Sequence, residues 1–463
     1  MTVHPIDRAS FIPPRAALAH ARGAILRHAL ILTNAGALAA GTLAGAALGF
    51  VYWWLAARAF PPAAVGLASA AISMMNLLGH AGEFGLGPLL LGQLPRAGRD
   101  ASTLLWTALC MAAVACALFG LGYAGLARVA AIDLGGALGS ARADGLFALG
   151  VTLTGFTLVL DQALVGLLRA RLQMGRSIAF SAVKLILLAL VAQLPGAGEA
   201  EILGAWIVGQ ALSVAGLALY LALRRERLWH RPRLSVVRPL AGDVLRHHAL
   251  NLALQAPAFA LPFVVTVTIS PETNAAFYAA WALVNVVLLV PAALTTVVYT
   301  TGARDPGELR PRLLLSLALS TASGAGAGVA FLFLSPFILG LFNPAYPTIA
   351  GTSLQMLGFG ALGVMLKYHY VALERLRGRM ARAALWLSVG GALELSAATW
   401  GGFQGGLAGL TAGWLAAVAL QAAFFAPGLV RAVRDGRRRI GAQPFAGAAA
   451  ALVADPTFGS QTS

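Results

Sequence analysis

The chain has 463 residues, of which 59% are hydrophobic and only 11% charged, and its mean hydropathy is +0.78. A soluble domain carries about 25% charged residues, so this composition excludes a soluble globular protein and implies an integral membrane protein. The net charge of +16 would point to nucleic acid in a soluble protein; here it is read through membrane topology, and no nucleic acid partner is expected.

Spanning helices need roughly 20 predominantly apolar residues each. Span one is expected over 30–56, with Gly41, Gly45 and Gly49 forming a small-residue stripe against which a neighbouring helix could close, and with Tyr52, Trp53 and Trp54 as an interfacial belt. Span two, 63–91, carries Asn76, His80 and Glu83. Span three, 103–126, holds Cys110 and Cys116, six residues apart on one helix and unable to pair with each other. Span four, 146–168, carries Asp161 and Gln162, and span five, 178–194, carries Lys184; the basic turn of Arg169, Arg171 and Arg176 is expected to join them. Span six is read over 202–223. Span seven, 249–269, contains Pro257 and Pro262 and is expected to be kinked or locally broken, since each proline frees a backbone carbonyl in mid-membrane. Spans eight to twelve follow over 274–299, 313–334, 349–371, 383–399 and 407–430.

These runs fall six on each side of 224–248, a stretch with seven arginines and only two carboxylates, Glu226 and Asp243. The expected organisation is therefore a segment 1–29, a first six-span lobe 30–223, the linker 224–248, a second lobe 249–430 and a tail 431–463 expected to be disordered. Of the 33 basic residues, 28 fall before span one, in alternate loops or after span twelve. The opposite loops hold only Arg58, Arg128 and Arg142. By the positive-inside rule both termini and the linker should be cytoplasmic. The opening residues, with Pro5, Pro13 and Pro14, do not read as a cleavable signal peptide.

A faint repeat supports the division. Arg27, His28, Ala29 and Leu30 enter span one as Arg246, His248, Ala249 and Leu250 enter span seven, and Pro62, Gly66 and Asn76 share their spacing with Pro271, Ala275 and Asn285. With six spans per half the repeats are parallel, related by an axis along the membrane normal, and a substrate site is expected between them. The fold class read from sequence is thus an all-α polytopic membrane protein of about twelve helices in two six-helix lobes around a central cavity.

Three stretches carry a family resemblance: LTNAGALAAGTLAGAALGFVYWWLAARAFPPAAVGLASA at 32–70, GEFGLGPLLLGQLPRAG at 82–98 and LVLDQALVGLLRARLQMGRSIAFSAVKLILL at 158–188. There the chain resembles the polysaccharide biosynthesis and export proteins, the O-antigen and lipid-linked oligosaccharide flippases of the multidrug/oligosaccharidyl-lipid/polysaccharide (MOP) superfamily. The resemblance implies a cavity opening alternately to either side of a bacterial cytoplasmic (inner) membrane, an undecaprenyl-diphosphate oligosaccharide as cargo for surface polysaccharide such as lipopolysaccharide, and no covalent chemistry. The chain departs from two branches of that superfamily. It has twelve expected spans where the lipid II flippases have fourteen, and it lacks the carboxylate that ion-coupled drug exporters carry in span one.

Asp161 and Lys184 lead the candidate site residues. Counted from the expected helix ends, both lie roughly 10 Å into the membrane at ~1.5 Å per residue, and an intramembrane charge usually has a partner and a function. They form either a substrate-facing pair or a structural ion pair within one lobe. Glu83 and His80 lie one turn apart, able to line an entrance or take up a coupling proton, or simply solvated at the interface. Lys367 with His369 is near enough to its interface to snorkel or to meet a diphosphate. Glu394 has no obvious partner and reads as a coupling site or a hydrogen-bonded core residue. Arg58 is an interfacial anchor or a diphosphate contact. Asn34, Asn76, Gln162, Gln210, Asn251, Gln255 and Asn285 could bond sugar hydroxyls or bridge helices.

No Walker A sequence, GxSxG elbow or metal-spaced His/Cys cluster occurs, so no cofactor, metal or enzymatic activity is expected. The stretch GQLPRAGR at 92–99 imitates a major facilitator loop, but it lacks that motif's aspartate and its spacing. The leading expectation is a lipid-linked oligosaccharide flippase with membrane lipids and a proton or sodium ion as further partners. A cation-coupled multidrug exporter on the same fold is the alternative. A membrane enzyme is disfavoured because the longest loop opposite the linker, 127–145, is short.

Overall fold

A computed structural model describes residues 41–130, 134–226, 229–238 and 241–434. The expected segment 1–29, the start of span one with Asn34, and the tail beyond 434 lie outside the described residues. The first half comprises a helix over 41–59 (α1), α2 (Pro62–Gly82), α3 (Leu86–Gln93), α4 (Ala101–Val129), α5 (Ala141–Gly166), α6 (Ala170–Val191) and α7 (Glu199–Leu223). The second comprises α8 (Ala241–Thr268), α9 (Pro271–Arg304), α10 (Leu309–Phe342), α11 (Tyr346–Leu376) and α12 (Met380–Arg434). The described residues contain helices and turns but no strand. We call the face bearing the 224–240 connection the linker side and the opposite face the far side.

Among the described residues ten helices are long and apolar enough to cross a membrane. The expected count of about twelve is reached because α1 is only partly described and α12 is two spans in one. Inside α12 the backbone leaves the helix at Gly405 (φ −142°) and Gly406 (φ 58°), the second a left-handed conformation that glycine adopts without steric cost. The chain turns back on itself there, and ideal Cβ atoms at Gly401 and Gly409 would each lie 2.2 Å from the other's carbonyl oxygen.

Of the two outcomes expected for span seven, a kink or a local break, the break does not occur there and is found in span two instead. Helix α8 remains helical from Ala241 to Thr268 through both Pro257 and Pro262. The carbonyl of Ala258, which Pro262 cannot bond, instead accepts from Trp281 Nε1 of α9 at 3.1 Å. In α10 Pro336 likewise frees the Leu332 carbonyl, and Gln355 Nε2 of α11 donates to it at 3.0 Å. A membrane helix tolerates proline where a neighbour re-satisfies the freed group. Span two is the broken one: α2 stops at Gly82, Phe84 and Gly85 take positive φ (47° and 73°), and α3 restarts at Leu86.

The repeat seen faintly in sequence recurs in local geometry. Asn76 and Asn285 each donate to a carbonyl four residues back, Ile72 at 2.9 Å and Trp281 at 3.0 Å. The α5–α6 and α11–α12 turns both place a residue in the left-handed region, Leu168 and Gly378. Each is followed by an amide reaching five residues back, Arg169 to Leu164 at 2.8 Å and Arg379 to Glu374 at 2.9 Å.

The linker is partly structured and partly helix. Residues 241–248 already belong to α8, Val237 packs into the core between α3 and α4, and the Arg233 amide donates to Thr107 Oγ1 at 2.9 Å.

Candidate functional site: the seam between the halves

The two halves meet along α1, α2, α8, α9 and α10. At the far side the seam is clasped by polar bonds. Trp54 Nε1 and Arg58 Nε of α1 both donate to the Leu341 carbonyl at the end of α10, each at 2.9 Å, and Asn343 Nδ2 returns a bond to the Ala57 carbonyl at 3.1 Å. Arg58 is therefore engaged within the protein, its guanidinium also lying 4.9 Å from the Trp54 ring centre. Next to this clasp, Asn274 Nδ2 of α9 donates to the Gly66 carbonyl (2.8 Å) and to Ser69 Oγ (3.0 Å) of α2. The approach requires glycine: a Cβ at Gly66 would stand 1.7 Å from the Pro271 carbonyl oxygen.

Below the clasp, α1 and α9 diverge around a cleft of about 250 Å³. Phe50, Trp53 and Tyr278 line it with small and aliphatic residues, and Asn285 supplies its only side-chain amide. Counting from the far ends of α1 and α9, the lining runs from about 9 Å (Trp53) to about 27 Å (Leu289) towards the linker side. Of the glycine stripe of span one, Gly41 faces Met174 of α6, whereas a Cβ built on Gly45 or Gly49 would meet no described atom within 4 Å, and Gly49 lines the cleft.

On the linker side, α2 and α8 close together at the break. The His80 ring stacks on Phe259 at 5.1 Å and Phe84 meets His248 at 6.0 Å. Glu83 is buried there, its carboxylate 3.9 Å from His80 Nδ1. Of the predicted residues, Arg58, His80, Glu83 and Asn285 thus border the seam. Asn76 bonds only its own helix, and Gln162 of α5 faces Gly87 of α3. A separate cavity of about 190 Å³ lies within the second half, bordered by Gln255, Thr295, Tyr368 and Arg375. Asn251 is held at its edge by the Arg375 guanidinium.

The expected Asp161–Lys184 pair does not form. Helix α6 begins at Ala170, eight residues before the expected start, so the basic turn is its first coils. Lys184 lies ~21 Å from that end rather than roughly 10 Å, whereas Asp161 is ~8 Å and Arg176 ~9 Å from theirs. Arg176 accordingly takes Asp161 in a two-pronged pair, Nε to Oδ1 at 2.7 Å and Nη2 to Oδ2, and Nη1 reaches Ser213 at 3.2 Å. This cluster ties α5, α6 and α7 inside the first half. Lys184 has no carboxylate among the described residues. Its ammonium lies 3.7, 4.5 and 4.9 Å from the ring centres of Trp206, Phe180 and Tyr52, a cage of cation–π contacts.

Lys367 and Glu394, read separately from sequence, are partners: Nζ lies 2.6 Å from Oε1, with both side chains buried. Gln421 Nε2 (2.8 Å) and Trp414 Nε1 (3.0 Å) complete the carboxylate's shell, so neither snorkelling of Lys367 nor a partnerless Glu394 survives. Trp414 stands edge-on to Trp281 at 5.4 Å, linking this network to the helix bordering the seam. His369 is also internal: Nδ1 donates to the Met365 carbonyl and Nε2 accepts from Ser316, both at 2.8 Å.

Counted from the matching turns, Lys184 follows Leu168 by sixteen residues and Glu394 follows Gly378 by sixteen. Each meets a tryptophan of the last helix of its half. Equivalent positions of the two halves therefore hold opposite charges, a relation visible only once the turns are aligned. Among the described residues no group of three or more His, Cys, Asp or Glu could hold a metal ion.

The described helices thus form two halves, clasped at one end and split by a cleft below it. Solved transporters share this fold at low sequence identity. An outward-facing multidrug-resistance MATE family transporter of the MOP superfamily superposes with TM-score 0.61 at 16% identity, covering 87% of this chain and 96% of the other. A MOP transporter from Pyrococcus furiosus, described as having a binding pocket of reversed polarity that suggests a different function, gives 0.60 at 15% over 88% and 96%. A MATE transporter in complex with MaD5 gives 0.59 at 16% over 87% and 96%. No family model and no curated protein sequence matches the chain. At these identities the likeness establishes the fold: the chain is a multi-pass membrane protein built as these transporters are.

Proposed function

We propose that the chain exports amphipathic molecules by alternating access, a reading supported by its sharing the fold of an outward-facing multidrug-resistance transporter. The observation that carries this reading is the α1–α9 cleft, closed at the far side by the Trp54, Arg58 and Asn343 clasp and lined by aromatic rings with a single amide. Such a surface holds an apolar body by area and a polar handle by one or two bonds. The excess of arginine in the alternate loops and at the chain ends makes the linker side cytoplasmic in a bacterial inner membrane, with both termini on that side. The cleft then extends towards the cytoplasm. Glu83, with His80 beside it at the break of span two, is our candidate for a coupling proton, because it is the buried carboxylate that borders the seam.

A second reading, the flipping of a lipid-linked oligosaccharide, is favoured by one observation of its own. Among the described residues α1 carries no carboxylate, so nothing in its part of the cleft selects a cation, and the sequence resembles the export proteins over 32–98 and 158–188. One experiment separates the two. After deletion in the native host, increased sensitivity to cationic amphiphiles with unchanged surface polysaccharide supports the exporter, and a Glu83→Gln chain should fail to restore resistance. Build-up of glycan-loaded undecaprenyl diphosphate with loss of surface polysaccharide would replace it with the flippase.

A further inference from the structure

Away from the seam, the linker side of the second half contains a cavity of about 520 Å³ formed wholly by α11, α12 and the turn between them. Four arginines surround it: Arg377, Arg379 and Arg382 from the turn and the start of α12, and Arg431 from its far end. Glu374 is the single carboxylate in the lining, and it is already paired with Arg377 at 2.9 Å. Arg431 spends only its Nε, on the Pro427 carbonyl of its own helix at 3.3 Å. Among the described residues no carboxylate pairs with Arg379, Arg382 or Arg431. Three guanidinium groups therefore converge on one cavity with no paired carboxylate among the described residues.

The cavity's other walls are aromatic. Tyr370 and Phe425 stack at 4.0 Å, while Trp386 and Phe424 meet at 4.9 Å and stay exposed on the outer surface of α12, 38% and 56%. A topogenic role for the arginines requires only that they lie outside the membrane on one side. It does not require them to converge, nor to meet an apolar surface at the level of the headgroups. Guanidinium forks match phosphate oxygens in two-pronged geometry, and basic pockets between membrane helices on the cytoplasmic side take up anionic lipid headgroups.

We propose that this cavity binds the phosphate of an anionic membrane lipid, with Arg379, Arg382 and Arg431 holding the headgroup and the acyl chains lying along Trp386 and Phe424. The chemistry shared with a soluble ligand is the phosphate group; the exposed aromatic wall assigns the source to the bilayer. The site is independent of the cargo carried between the halves.

The test is native mass spectrometry of the full-length protein released from nanodiscs containing phosphatidylglycerol and phosphatidylcholine in equal amounts. The proposal predicts one retained phosphatidylglycerol per chain, with retention reduced at least fivefold in Arg379→Gln/Arg382→Gln/Arg431→Gln. A control with equal charge removed elsewhere on the linker side, Arg171→Gln/Arg224→Gln/Arg310→Gln, should retain it. Equal loss in the two triple variants would overturn the proposal by showing only general surface charge. Displacement of the lipid by millimolar inorganic phosphate would overturn the lipid assignment in favour of a soluble phosphate. A melting point for each variant measured in phosphatidylcholine alone identifies any loss due to misfolding, and Arg382→Lys, which keeps charge and fold, should still lower retention.

Discussion

Buried charges in this chain are settled by helix register. Asp161 belongs to Arg176 because α6 starts at Ala170, which brings the two to the same depth; Lys184, two turns further on, is left to three aromatic rings. Removing one member of a buried pair strands the other and costs roughly 3 kcal/mol, while replacing both costs much less. Asp161→Leu and Arg176→Leu should therefore each lower thermal stability in detergent by that order, with the double variant recovering much of the loss. Asp161→Leu and Lys184→Leu should instead combine additively. Strong coupling between Asp161 and Lys184, with none between Asp161 and Arg176, would contradict the assignment. The sequence made the four residues of the two buried ion pairs, and Lys184, conspicuous as intramembrane or basic-turn charges. It did not pair them, since an eight-residue error in one helix start moves a side chain by about 12 Å.

At the scale of the element, two prolines leave their helices unbroken, while left-handed residues break span two. Pro262 and Pro336 sit inside unbroken helices because a tryptophan and a glutamine on neighbouring helices take the carbonyls they free, whereas the break in span two is set by the left-handed Phe84 and Gly85. Span count was legible from hydropathy alone, whereas the last eight residues of the expected linker belong to α8. The rescue bonds were not legible, because Trp281 lies nineteen residues beyond Pro262 on a different helix and no local pattern ties them. This account predicts that Gln355→Leu, which orphans the Leu332 carbonyl, costs about 1–3 kcal/mol. In a Pro336→Ala background, where an amide returns to that carbonyl, the same substitution should cost well under half as much. Equal costs in both backgrounds, measured by thermal unfolding, would show that the Gln355 bond does not compensate for the proline.

For the whole molecule, the proposed export requires the two halves to move against each other about the seam, exchanging a far-side clasp for a far-side opening. Gly66→Val should obstruct the clasped state, because even a Cβ there meets the Pro271 carbonyl at 1.7 Å; the variant should fold yet lose transport. The parallel repeat and the location of a cavity between the halves were readable from the matched Pro62–Asn76 and Pro271–Asn285 spacing. The closed end was not, since it depends on Trp54, Asn274 and Asn343, whose polar groups act across more than two hundred residues of chain. The most direct test is double electron–electron resonance in nanodiscs, with native Cys110 and Cys116 replaced and spin labels placed on Ala59 and Ala345 at the far side and, separately, on Arg171 and Glu308 at the linker side. The account predicts a short far-side distance in the resting protein that lengthens on adding a transported amphiphile or a proton gradient, while the linker-side distance shortens. A single far-side distance under every condition, or two distances that lengthen together, would contradict alternating access by this chain.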